Sequence, residues 1–275
     1  MIKDLVVNLS GRGAQDFAAD YAASVAASFG ARIVAIAFRY EPVIPDGTLG
    51  GIPVELIELQ REENSKAAAA AVSRFEAAAK KAGVAAETRI IDATFGGAAT
   101  VFARVARGFD LAVVGQAQRA HGASEELIIE GTLFESARPV LIVPYIQKRG
   151  LTLERVLACW DGSRTATRAI AEAMPFLERA KAVDLVVVSE QRKDEDITGA
   201  NMSDHLARHG VRANLKRLSK GDLAIEDVIL SYAADSGADF LVMGGYGHSR
   251  LREFILGGVT RGILASMTVP VLMAH

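Results

Sequence analysis

Asp110-Leu111-Ala112-Val113-Val114-Gly115 returns 129 residues later as Asp239-Phe240-Leu241-Val242-Met243-Gly244. Arg138-Pro139-Val140-Leu141-Ile142-Val143 returns after 131 residues as Val269-Pro270-Val271-Leu272-Met273-Ala274, and residues 5–11 match residues 156–162 more loosely, 151 residues on. One folding unit is therefore written twice, and the drop in offset gives the first copy about 20 extra residues in its middle. The expected boundary is the polar stretch Gln147-Lys148-Arg149-Gly150, which divides the chain into domains at 1–146 and 151–275.

Within each copy, short apolar runs alternate with longer alanine-rich segments. In the first, strands are expected at 3–9, 32–38, 84–91, 111–115 and 140–143, and helices at 14–29, 55–82, 95–107 and 125–136. Helix 55–82 is read as the inserted element, after a Pro- and Gly-rich loop at 42–53. The second copy has strands at 155–160, 183–189, 212–218, 240–243 and 271–273, with helices at 164–179, 202–209, 223–235 and 259–266 between them. Ile33-Val34-Ala35-Ile36-Ala37 is apolar on both faces, as a strand covered on both sides must be. Strand–helix alternation implies α/β architecture: two tandem, doubly wound parallel sheets of Rossmann-like type.

Ligands of such sheets bind beyond the carboxyl ends of the strands, at the point where strand order reverses. In the second copy the loops there begin at Asp161 and Gly244. Gly244-Gly245-Tyr246-Gly247 follows an apolar strand, and Gly257-Gly258-Val259-Thr260 opens a helix. That layout turns backbone N–H groups towards an anion. The glycines are equally what tight turns require. Asp161, in Trp160-Asp161-Gly162-Ser163, is placed to accept from a base or a ribose, or simply from the amides of the helix that follows.

Other chemistries find little support. There is no G-x-x-x-x-G-K-[ST] loop, and Gly245-Tyr246-Gly247-His248-Ser249-Arg250 lacks the third glycine of a dinucleotide fingerprint. Gly247-His248-Ser249-Arg250-Leu251 has leucine where a nucleophile elbow needs its last glycine. His205 and His209, one turn apart, read as surface residues of a polar helix, so no metal is expected. A lone cysteine, Cys159, excludes an internal disulfide and reads as a buried packing thiol. Net charge is −2, with no basic block, which disfavours nucleic acid. The N-terminus turns polar too soon for a signal peptide, and no apolar run reaches the ~18 residues of a membrane span. The expected location is cytoplasmic, with no membrane partner.

The order of these pieces resembles the universal stress protein family. Gly244-x-x-Gly247, nine residues, then Gly257 fits the family's G-2x-G-9x-G-[S/T] pattern, with Val259-Thr260 following. Residues 156–163, Gly221-Asp222 and residues 238–244 are also family-like. The resemblance implies an ATP site, with or without Mg²⁺. Asp161 would contact the adenine, and Val188 would offer it backbone. Met243 and Gly244 would line base and ribose, and Gly247, Gly257, Val259 and Thr260 would surround the phosphates. Gly258 stands where the pattern wants Ser or Thr, leaving its amide but no hydroxyl. Trp160 is bulkier than the residue usual before the aspartate.

The first copy departs further. Leu9-Ser10-Gly11 has no aspartate, and Gly115-Gln116-Ala117-Gln118 loses the second glycine, so that domain is expected to bind no nucleotide. Family members often dimerise through their last strands. By that analogy the two copies would form an intrachain pseudo-dimer, with Val140–Val143 beside residues 271–273 and a homodimer as a further arrangement. The implied function is stress response or signalling by nucleotide binding, with at most slow hydrolysis and an unidentified protein partner. The alternative is a chaperone-like or interaction scaffold that keeps the fold without the site. No catalytic constellation supports a true enzyme.

Overall fold

The computed structural model describes residues 1–11, 13, 15–42, 53–118, 123–189, 197–246 and 258–275. The first nine elements are β1 (Asp4–Asn8), α1 (Phe17–Phe29), β2 (Arg32–Tyr40), α2 (Val54–Ala82), β3 (Ala86–Ala93), α3 (Gly97–Ala106), β4 (Leu111–Gly115), α4 (Ala123–Glu135) and β5 (Val140–Val143). The next nine are β6 (Val156–Cys159), α5 (Arg164–Leu177), β7 (Val183–Ser189), α6 (Ile197–Arg208), β8 (Ala213–Ser219), α7 (Ile225–Ser236), β9 (Phe240–Gly244), α8 (Gly258–Ser266) and β10 (Val271–Ala274). Both halves run through the same order. Thus α2 holds the place of α6, and the extra residues lengthen an existing element instead of inserting a new one.

The chain separates into two compact units, Ile2–Arg138 and Pro139–His275, Met1 aside. The first has strand order β3-β2-β1-β4, all parallel, with Leu5 opposite both Ile33 and Leu111. The second has order β8-β7-β6-β9-β10-β5. Its first five strands are parallel, and β5 closes the row antiparallel to β10, with Leu141 opposite Leu272. The last strands of the two copies are therefore neighbours, as the resemblance implied. In each unit the central strands are sealed and the outer strands, β3 and β8, are partly exposed. No helix among the described residues is long and apolar enough to cross a membrane.

Local chemistry moves several element ends from where periodicity puts them. α1 begins at Phe17 because Asp16 caps it, accepting from the Ala19 N–H at 3.0 Å and the Ser10 N–H at 2.7 Å. Burial pushes the Asp16 carboxyl up from its ordinary value, against the downward pull of those two bonds. β3 begins at Ala86 because Val84 is still part of the end of α2, its N–H donating to the Ala79 carbonyl beyond Gly83. α6 starts at Ile197, five residues before periodicity shows it. Gly199 lies against the sheet, where a Cβ would come within 3.2 Å of Val187 and 3.3 Å of Leu215.

One ionic cluster braces the second unit near the start of β7. Asp184 is sealed from solvent and accepts from Arg155 at 2.9 Å, Tyr232 at 3.1 Å and Asn214 at 3.2 Å. Three donors offset the cost of burying its charge. Burial and, after it, the neighbouring Asp184 carboxylate push the Tyr232 hydroxyl up.

Candidate functional site

β6 pairs with β7 on one side and β9 on the other, so the strand order reverses at β6 and β9. Beyond their carboxyl ends lies a cavity of about 340 Å³, a size that suits a small-molecule ligand. Asp161, Val188, Met243, Gly244, Gly258, Val259 and Thr260, drawn from four elements and their loops, all border it. Gly247 and Gly257 lie outside the described residues.

The walls are specific. Gly244 is where β9 meets the first turn of α5: a Cβ there would stand 2.6 Å from the Ala166 nitrogen and 2.7 Å from the Thr165 carbonyl carbon. Backbone cannot retreat as a flexible side chain can, so only glycine lets β9 and α5 close this side of the cavity. Asp161 is exposed at the cavity's edge, and its Oδ1 accepts from the Ser163 N–H at 2.9 Å. Ser163 in turn caps α5 through the Ala166 N–H at 3.1 Å. This is the local bond expected of an acid before a helix.

Thr260 is buried, and its hydroxyl oxygen accepts from the Tyr246 N–H at 3.1 Å, tying the start of the glycine loop to the first turn of α8. Tyr246 holds φ at +54°, a left-handed conformation costly for a bulky residue, and only 3% of it is exposed. The Gly245 N–H donates to the Ala274 carbonyl at 2.9 Å, so the loop is anchored to β10 as well. The first N–H groups of α8 have no acceptors within the helix and lie where the cavity opens onto Gly258 and Val259.

Opposite these polar groups the lining is apolar: Val186 and Val188 from β7, Ile225 and Ile229 from α7. The Trp160 indole also borders the cavity, and its buried Nε1 has no hydrogen-bond partner among the described residues. Cys159 is half-buried and forms part of the same wall, so it is more than core packing. Burial pushes its thiol up to about 12, and the Asp161 carboxylate adds to the rise.

Tyr246, Thr165 and Ala166 carry no signal in the sequence, while Ile225 and Ile229, four apart in the expected helix 223–235, fall on one helical stripe with Val228 and Tyr232. Only that stripe carried any sequence signal, and it does not distinguish core from cavity. In the first unit the equivalent strand end is engaged internally. Ser10 stands in the place of Asp161, donates its N–H to Asp16 at 2.7 Å and receives the Arg74 guanidinium on its carbonyl at 3.1 Å.

The model of the universal stress protein family matches residues 152–275. These residues belong to the universal stress protein family. Universal stress protein Slr1230 from Synechocystis is 27% identical over 175 residues, which span 60% of this chain and 57% of that protein. The solved universal stress protein from Archaeoglobus fulgidus superimposes with a TM-score of 0.75 at 17% identity, covering 98% of this chain and 97% of that one. A second structure, from Pseudomonas aeruginosa, gives 0.61 at 15% identity, covering 98% and 92%. At these identities the two structures establish a shared fold over nearly the whole chain.

Proposed function

We propose that this protein is a cytoplasmic stress-response or signalling protein whose second unit binds an adenine nucleotide, ATP, with at most slow hydrolysis. The carrying observation is the meeting of Asp161, Val188, Met243, Gly244 and the Gly258–Val259–Thr260 turn around one strand-end cavity at the switch point. The apolar wall of Val186, Val188, Ile225 and Ile229 suits a flat base, Asp161 suits its amino group or a ribose hydroxyl, and the start of α8 suits phosphates. Mg²⁺ bound with the nucleotide would neutralise phosphate charge. Micromolar binding needs about 8 kcal/mol, which a buried base and a few charge-assisted N–H bonds supply.

Trp160 is the only tryptophan and borders the cavity, so it reports directly on occupancy. Titration with Mg-ATP is expected to change its fluorescence saturably, in step with the heat measured by calorimetry. No heat and no fluorescence change at about 1 mM ATP, with the protein folded, would sink the reading. That outcome would favour a scaffold that keeps the fold, for which the bond between Asp161 and Ser163 and the bulk of Trp160 already argue. ATP released by heating the purified protein would count against the scaffold.

A further inference from the structure

The first unit has a cavity of its own, of about 480 Å³, at the carboxyl ends of β2 and β3 under the amino-terminal half of α2. We propose that it is a binding site for an organic ammonium cation with an apolar body. Tyr40, the last residue of β2, and Phe95, just after β3, form one corner, their ring centroids 5.9 Å apart and the rings tilted by 45°. Leu56, Ile57 and Leu59 of α2 supply an aliphatic wall, and Leu56 and Leu59 are each more than half exposed, at 55% and 52%. Among the described residues two charged ones line the cavity, Glu41 and Glu63, and no Lys, Arg or His does.

Backbone and amide bonds fix the strand end against α2. The Glu41 N–H donates to the Ala93 carbonyl at 3.0 Å, which extends the β2–β3 pairing as far as the cavity. Asn64 donates to the Tyr40 carbonyl at 2.6 Å and accepts from Gln60 at 3.2 Å, which ties α2 to the strand end. Two nearby cations are engaged elsewhere: Arg39 with Asp92 at 2.7 Å, Lys66 with Glu62 at 2.6 Å. An anion would meet two carboxylates and no cation among the described lining residues, and a neutral apolar molecule would gain nothing from them. An ammonium group uses the carboxylates and the electron-rich ring faces together, while its apolar body covers Leu56 and Leu59.

The test is calorimetry of the full chain with hexyltrimethylammonium, compared with hexanol and hexyl sulfate. Saturable binding of the cation is expected, stronger than that of either comparator and weakened by added salt, because both carboxylates are exposed. The double variant E41Q/E63Q, at exposed positions and checked for folding by circular dichroism, is expected to weaken it about fivefold or more. Three results would overturn the assignment: no saturation up to about 1 mM, equal affinity for hexyl sulfate, or undiminished binding by the double variant. Saturable binding of a basic amphipathic peptide without binding of the small cation would overturn it too, in favour of a protein-docking groove.

Discussion

On the proposed reading, Gly258 sets how firmly the first turn of α8 would hold a phosphate. A Cβ at this position meets nothing within 4 Å among the described residues, and its φ lies outside the left-handed region, so serine suits the backbone there. Gly258→Ser restores the hydroxyl that the family pattern carries there, and one charge-assisted hydrogen bond is worth about 1.5 kcal/mol, or roughly tenfold in affinity. Calorimetry should show ATP binding tighter by that factor. An unchanged Kd would mean that no phosphate reaches this turn. Cys159 offers a second readout at this scale. With its thiol pushed up to about 12, almost no thiolate exists at neutral pH, and alkylation by iodoacetamide should be slow. The Asp161 charge contributes to that rise, so Asp161→Asn should move the pH–rate profile of labelling downward. A profile that stays in place would separate the two groups electrostatically.

At the scale of elements, α2 shows how a long helix can be held along a narrow line. It has 29 residues, yet its buried positions are Ala68, Ala71, Phe75 and Ala79, at spacings of three and four. Alanines let the helix axis approach the sheet, and Phe75 alone fills volume. Phe75→Ala is expected to cost about 3–5 kcal/mol in chemical denaturation. A loss near zero would show that the stripe bears little of the unit's stability. α5 illustrates a different constraint. Its Ser163 cap is legible from local sequence, but its packing on β9 depends on Gly244, about 80 residues away, having no side chain.

At the scale of the molecule, the fifth strand of the first copy completes the sheet of the second unit. β10 lies between β9 and β5, and all four of its residues are buried. A fragment spanning residues 151–275 keeps the whole matched family region but loses β5, leaving one edge of β10 with unpaired backbone groups. Such an edge is a template for another chain. Analytical ultracentrifugation should find this fragment dimerising with rising concentration, and a monomer throughout would refute the inference. The boundary at 147–150 came from composition, whereas compactness places the division at Arg138 and Pro139. Composition marks where the chain turns polar and carries no record of which edge a strand will join.

The sequence by itself determined the strand–helix alternation, the repeat, and the places of Asp161 and Gly244 at strand ends and of Gly258–Thr260 at a helix start. Periodicity, caps and glycine loops are local signals, read within a few residues. Tertiary structure alone decided that the order reverses at β6 and β9, which brings those segments to one cavity. It also decided that Tyr246 would bond Thr260, that Thr165 and Ala166 would close on Gly244, and that β5 would pair with β10. Each of these depends on contact between residues far apart in the chain, and such contacts are selected by the packing of the whole unit, which no short stretch of sequence encodes.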